Sequence, residues 1–146
     1  MKPLIRPLRA EDAPTLAQIE REIFSMPWSE RAFLELLERS YHLYLVAEWE
    51  GMLVGCAGLT VLDNEGDIEK VMVREDFRRR GIAGSMLHEL IAAGERLGIT
   101  EFTLEVRAGN APAIRLYEKF GFVSEGIRPG FYEKPAEDAV IMWRRQ

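Results

Sequence analysis

The residues best suited to chemistry lie in one run, Val71-Met72-Val73-Arg74-Glu75-Asp76-Phe77-Arg78-Arg79-Arg80-Gly81-Ile82-Ala83-Gly84. Its apolar start reads as the end of a strand, its charged middle as a turn, and its small residues as the opening of a helix. The first amides of a helix lack intrahelical acceptors, and the helix dipole is positive there, so such an end holds an anion such as phosphate. Gly81, Ala83 and Gly84 carry little or no side chain, which lets a ligand approach the backbone closely. Three consecutive arginines, Arg78, Arg79 and Arg80, stand in a chain of net charge −5. A local cationic knot in an anionic protein suits a small anionic ligand better than a long polyanion. A solvated charge run is the plainer alternative. Two familiar phosphate loops do not fit. The Walker loop needs Lys before Ser or Thr, and here Gly84 precedes Ser85; the dinucleotide fingerprint needs three glycines, and Ala83 breaks the spacing.

The pattern along the chain predicts the elements that must hold this run. Leu4–Pro7 reads as a short strand. Ala13, Leu16, Ile19 and Ile23 recur at three- and four-residue spacing, an amphipathic helix interrupted by Pro27. Ser29 is placed to cap a second helix carrying Phe33, Leu34, Leu36 and Leu37. His42–Trp49, the Glu50-Gly51 turn and Met52–Leu62 read as a hairpin, and the turn at Asp63-Asn64-Glu65-Gly66 leads to a strand over Asp67–Val73. Met86, Leu90, Ala93 and Leu97 mark the helix after the arginines, with Gly98 as its left-handed stop. Glu101–Arg107 alternates, with Phe102, Leu104 and Val106 on one face and Thr103, Glu105 and Arg107 on the other. Asn110 caps a helix through Phe120, with Pro112 in its first turn and Gly121 as its stop. Phe122–Ile127 and Ala139–Trp143 read as two last strands around an irregular loop. The order β-α-α-β-β-β-α-β-α-β-β is that of a mixed α/β layer fold.

A chain of 146 residues has the length of a single domain, 1–146, and buries roughly 70% of its unfolded surface without disulfides or structural metal. With 47% hydrophobic and 29% charged residues, collagen-like, disordered and membrane-spanning classes are excluded. The longest apolar runs, such as Ala139-Val140-Ile141-Met142-Trp143, fall far short of a bilayer span, so no membrane partner is expected. The acidic balance disfavours direct nucleic-acid binding. Of the 19 basic residues, 15 are Arg, which makes the three adjacent arginines less surprising than their position before two glycines. Cys56, the one cysteine, is flanked by Gly55 and Ala57 and reads as a buried strand residue, not a nucleophile. That single thiol and an N-terminus without the apolar core of a secretory signal point to a reduced, cytoplasmic setting. His42 and His88 lack ligand-spaced partners, so no metal site is expected.

Arg78-x-x-Gly81-x-Ala83 resembles the cofactor loop of the GNAT superfamily of N-acetyltransferases. Two further blocks follow at matching distances, Leu104-Glu105-Val106-Arg107-Ala108-Gly109-Asn110 and Leu116-Tyr117-Glu118-Lys119-Phe120-Gly121-Phe122, and the element order agrees over nearly the whole chain. Phe24-Ser25-Met26-Pro27-Trp28-Ser29 and Glu137-Asp138-Ala139-Val140-Ile141-Met142 are similar to the bacterial ribosomal-protein alanine N-acetyltransferase branch. The resemblance implies a GNAT-like, mostly antiparallel central sheet with helices on both faces, and acetyl-CoA as cosubstrate. Val71, Met72 and Val73 would present backbone to the acetyl and pantetheine portions. Arg78, Arg79, Arg80, Gly81, Ile82, Ala83 and Gly84 would form the pyrophosphate cradle, and Asn110 would contact the cofactor. Ala83 stands where many relatives have Gly. The resemblance further makes Glu105 the proton acceptor and Tyr117 the proton donor, where the residues alone read equally as a solvated strand carboxylate and a core tyrosine. Trp28, Tyr132 and Glu137 would border the acceptor, although Pro27-Trp28-Ser29 also reads as a plain helix-start device.

Elementary acid–base chemistry ranks the acceptors. A free α-amine has a pKa of about 7.7–8.0 and a lysine about 10.4, so at pH 7 roughly a tenth of the former is neutral against roughly one in a few thousand of the latter. The gap is worth about 3.4 kcal/mol of deprotonation, and one carboxylate such as Glu105 suffices for the easier case. The expectation is therefore direct acetyl transfer to a basic protein N-terminus, the N-terminal alanine of a small-subunit ribosomal protein in the branch resembled. A lysine or small-molecule acceptor, or a non-catalytic acetyl-CoA-sensing module, are the alternatives.

Overall fold

A computed structural model describes residues 2–145. Its strands are β1 (Leu4–Pro7), β2 (His42–Trp49), β3 (Met52–Leu62), β4 (Glu65–Val73), β5 (Glu101–Arg107), β6 (Val123–Tyr132) and β7 (Glu137–Arg145). The α-helices are α1 (Ala13–Ile23), α2 (Glu30–Leu36), α3 (Ile82–Arg96) and α4 (Ala111–Lys119). All seven strands join one sheet in the order β1-β2-β3-β4-β5-β7-β6. Every neighbouring pair is antiparallel except β4 with β5, which is parallel because α3 crosses over between them. No helix among the described residues is long and apolar enough to cross a membrane.

Local chemistry sets the helix ends. The Ser29 hydroxyl accepts the Ala32 amide at 3.2 Å to start α2, and the Asn110 side chain accepts the Ala113 amide at 3.3 Å to start α4. Gly98 (φ 92°) and Gly121 (φ 87°) stop α3 and α4 in the left-handed region. Several expected boundaries move; the last strand, for one, spans Glu137–Arg145 where Ala139–Trp143 was expected. The strand expected from Asp67 begins at Glu65, because Asp63 takes the positive φ of the turn (53°) and completes it early. The expected irregular loop before Ala139 is largely hairpin: β6 continues to Tyr132, which pairs with Glu137. A register shift between Arg128 and Tyr132, around Pro129 and Gly130 (φ 63°), breaks the alternation that would have marked it as strand.

Apolar cores cover both faces. On one side α3 lays Met86, Leu87 and Leu90 against Leu59, Ile68, Phe102 and Leu104; on the other α1 and α2 lay Leu16, Ile19 and Phe33 against Val46, Cys56 and Met72. Gly94 lets α3 come this close, since a Cβ there would sit 2.8 Å from the Phe102 ring. Among the described residues, Asp12 and Glu20 are the buried carboxylates. Asp12 takes a two-pronged bond from Arg6, both at 2.8 Å, and so ties β1 to the start of α1.

Candidate active site

The sheet opens at its centre. β4 and β5 pair only at Glu65–Glu101, Gly66–Phe102 and Asp67–Thr103, and then separate. The cause lies on the other side of β4. Cys56 pairs with Met72 and Gly58 with Glu69, so Lys70 and Val71 together stand against Ala57 alone. This is a bulge, with Lys70 in the left-handed region (φ 56°), and a bulge bends and twists its strand. A cleft of about 1050 Å³ occupies the resulting gap. That volume is at the upper end for a small-molecule site.

One end of the cleft is built for an anion. Val71, Met72 and Val73 line it with β4 backbone that no longer pairs with β5. Arg78 donates from Nε to the Val73 carbonyl (3.2 Å) and so closes the loop after the strand. Arg79 (φ 66°) and Gly81 (φ 75°) then turn the chain into α3. Gly81 starts that helix without any side-chain cap, and the first amide to return onto it is that of Ser85, at 3.0 Å. The amides of Ile82, Ala83 and Gly84 therefore have no intrahelical acceptor at the cleft wall. A Cβ on Gly84 would lie 3.8 Å from Leu116, an ordinary contact, so packing within the protein does not demand glycine there. Its absence keeps the mouth of the helix open.

Arg80 is placed differently from Arg78 and Arg79. It is not among the residues lining the cleft; its guanidinium lies over Phe77 at 5.0 Å and Trp49 at 5.4 Å. An aromatic face attracts a guanidinium by about 0.5–1 kcal/mol at an exposed site, so Arg80 braces the loop against Phe77 and Trp49.

The other end carries a carboxylate and a phenol. Glu105 stands two residues beyond the last β4–β5 pair, on the β5 face opposite buried Leu104 and Val106, and lines the cleft. Tyr117, on the inner face of α4, lines the same space and is 7% exposed. Burial, with a smaller contribution from Tyr132, pushes its phenol up to about 12, so it stays protonated and able to donate. Asn110 lines the cleft at the head of that helix while its side chain caps it. Cys56 is completely buried and its thiol is pushed far up by that burial, which leaves it inert.

Two aromatic walls border the Glu105 end. Phe24 and Trp28 come from the segment between α1 and α2, and Phe131 and Tyr132 from the end of β6. The Ser25 hydroxyl donates to the Lys134 carbonyl and joins the walls. Arg107 lies over the Tyr132 ring at 4.4 Å and donates to the carbonyls of Pro135 (2.9 Å) and Glu133 (3.3 Å). Glu137 does not line the cleft. One oxygen receives Arg107 at 3.2 Å and the other the Gly109 amide at 2.6 Å, so it pins the β5–α4 turn to β7. Sequence reasoning assigned no role to Asp67, Glu69 or Lys70, all of which line the cleft. Alternation with Gly66 and Ile68 is the signal that would have put Asp67 and Glu69 on one face.

The uncapped helix start and the freed strand backbone fit a cosubstrate with an extended amide-bearing arm and a pyrophosphate. The chain's residues 13–122 match the model of the acetyltransferase (GNAT) family, and the chain belongs to that family. It is thus an acetyl-CoA-dependent N-acetyltransferase. Among curated relatives, the [ribosomal protein bS18]-alanine N-acetyltransferase of Salmonella typhimurium is 39% identical over 138 residues, 92% of each chain. The crystal structure of the ribosomal-protein-S18-alanine N-acetyltransferase of Escherichia coli superposes with a TM-score of 0.90 at 32% identity, over 99% of this chain and 94% of that one. Arabidopsis thaliana NAA60, solved in complex with acetyl-CoA, shares the fold at a TM-score of 0.85 and 22% identity, over 99% of this chain and 98% of that one.

Proposed function

We propose that this protein acetylates the α-amine of a protein N-terminus, the N-terminal alanine of a small-subunit ribosomal protein, with Glu105 accepting a proton and Tyr117 donating one. The names of the Salmonella and Escherichia relatives support the acceptor, and a cytoplasmic location goes with it. The single continuous sheet supports reading the chain as one acetyltransferase domain.

The observation that carries the reading is the union of a carboxylate, a phenol and an uncapped helix start in one cleft. When bound, acetyl-CoA supplies a thioester whose carbonyl an amine can attack and whose thiolate can leave. The amides of Ile82, Ala83 and Gly84, with Arg79, would hold the pyrophosphate. The freed backbone of Val71, Met72 and Val73 would orient the arm. The Phe24–Trp28 and Phe131–Tyr132 walls would receive the peptide, and its ammonium would meet Glu105. Glu105 takes the ammonium proton directly or through one water. Tyr117 gives its proton to the leaving thiolate, whose acid has a pKa of about 8.5, and the second proton that the nitrogen sheds as the amide forms returns Tyr117 to the phenol.

The test is thiol release with two matched basic peptides, one with a free N-terminal alanine and no lysine, the other blocked and carrying an internal lysine. Turnover on the first alone, lost in Glu105→Gln and Tyr117→Phe, supports the proposal. Turnover on the blocked peptide alone moves the enzyme to lysine side chains. Silence on both with acetyl-CoA still bound makes a different acceptor or a sensing role the leading reading.

A further inference from the structure

The ammonium of Lys70 sits where three segments meet. Its Nζ donates to both oxygens of Glu20 on α1, at 3.0 and 3.1 Å. It lies 4.2 Å from the centre of the Trp28 ring and 5.0 Å from that of Phe24. The Glu20 side chain is 0% exposed and that of Lys70 16%. Glu20 also accepts the backbone N–H of Trp28, at 2.9 Å. One buried carboxylate and one cation thus tie α1, the α1–α2 segment and the β4 bulge together.

Stability alone gives little reason for this arrangement. A buried ion pair is seldom better than a well-packed apolar pair, since both charges must be desolvated. Lys70 also holds a left-handed backbone without being glycine (φ 56°), a conformation that costs free energy and concentrates at functional sites. Both costs fall on a residue that lines the cleft beside the aromatic wall. We propose that Lys70 is a positioning residue for the acceptor: its ammonium, held by Glu20 and stacked on Trp28, fixes the wall against which the peptide packs. This rests on the proposed reading that a peptide N-terminus is the acceptor. A cation held over an indole face is orientation-dependent, so Lys70 sets the pose of Trp28 as well as its distance. The anion-binding end of the cleft, at Gly81–Gly84, takes no part.

The experiment compares Lys70→Met, Lys70→Arg and the double variant Glu20→Gln/Lys70→Met with the unaltered chain. Three quantities are read: the KM for an N-terminal-alanine peptide, the acetyl-CoA Kd by calorimetry, and acrylamide quenching of Trp28 in a Trp49→Phe/Trp143→Phe background. Lys70→Met is expected to raise the peptide KM about tenfold, to leave the acetyl-CoA Kd within about twofold, and to make Trp28 more quenchable. Lys70→Arg keeps the cation and the stack and recovers most of the KM. Should Lys70→Met fail to fold because it strands a buried carboxylate, the double variant removes that charge and is expected to keep the raised KM. A peptide KM restored in the double variant overturns the proposal, because Lys70 would then only neutralise Glu20. An acetyl-CoA Kd that rises in step with the peptide KM overturns it too. If the unaltered chain acetylates no N-terminal peptide, the acceptor reading has failed, and quenching decides the clamp: unchanged quenching in Lys70→Met overturns it, and increased quenching upholds it.

Discussion

Asp67 is the last β4 residue paired with β5, and the carboxylate of Glu105, two residues past that pair, helps to raise the pKa of Asp67. Burial is the larger cause; Glu105 and then Glu69 add to it, and Asp67 is pushed up to about 6. Above that value the Glu105 end of the cleft therefore carries like charges that cost stability. An acid whose folded pKa lies above its unfolded value of about 3.9 binds more protons when folded, so stability falls as pH rises through that window. Asp67→Asn removes the penalty. Its Tm is expected to exceed that of the unaltered chain at pH 8 and to match it at pH 4. Asp67 is only partly buried, so solvent screening leaves a gain on the order of a degree or two. Thermal unfolding at the two pH values checks this, and an equal offset at both would assign the effect to packing.

Tyr117 makes a second prediction through pH. Its phenol is pushed up to about 12, chiefly by burial, so it remains a proton donor well above the pH at which a free tyrosine ionises, about 10. The kcat of the unaltered enzyme is expected to hold through pH 10, with no loss from phenol ionisation. Tyr117→Phe lowers kcat by about 10²-fold or more with little change in acetyl-CoA Kd, since the ring and its edge-on contact with Phe122 at 6.0 Å persist. A kcat that falls with a midpoint near that of free tyrosine would mean that burial does not raise this phenol, and a kcat kept in Tyr117→Phe would remove Tyr117 from the donor role.

Much of this arrangement is legible in the chain, and the limits have physical causes. β2, β3 and β5 begin and end where their alternation and flanking turns put them, so the outward face of Glu105 follows from Phe102, Leu104 and Val106 pointing in. The anion-binding start of α3 follows from Gly81 and its neighbours. The cleft itself does not. It depends on a bulge at Lys70, a residue type that seldom adopts positive φ, and on a β3 register that no local pattern encodes. The Glu20–Lys70 pair spans 50 positions, beyond any periodicity. Arg80 looks like Arg78 and Arg79 until Trp49 arrives from the end of β2.

The two glycines at the start of α3 separate fold from ligand. Gly81 sits at φ 75°, and a Cβ there would meet nothing within 4 Å, so its demand is backbone conformation. Gly81→Ala is expected to cost about 1 kcal/mol of stability. Gly84 has an ordinary φ, and a Cβ there would make only ordinary contacts, 3.8 Å from Leu116 and 4.0 Å from Phe120. Gly84→Val is expected to change Tm modestly, as a β-branched residue early in a helix does, but to weaken acetyl-CoA binding by about tenfold or more, because the added methyls stand in the anion's approach. Calorimetric Kd alongside thermal unfolding distinguishes them, and a Gly84→Val protein that binds acetyl-CoA normally would move the pyrophosphate elsewhere.

The three arginines divide by what their guanidinium groups touch. Arg79 lines the cleft, whereas Arg80 does not and lies on Phe77 and Trp49. Arg79→Ala is therefore expected to raise the acetyl-CoA Kd by about three- to tenfold, with the loss shrinking at high salt as the charge is screened. Arg80→Ala removes a stack worth about 0.5–1 kcal/mol at an exposed site, so it lowers Tm and changes the Kd less, without a salt dependence of its own. Titrations at low and high ionic strength, run on both variants, make the comparison. If Arg80→Ala loses as much affinity as Arg79→Ala and regains it with salt, Arg80 must leave its aromatic bed to reach the ligand.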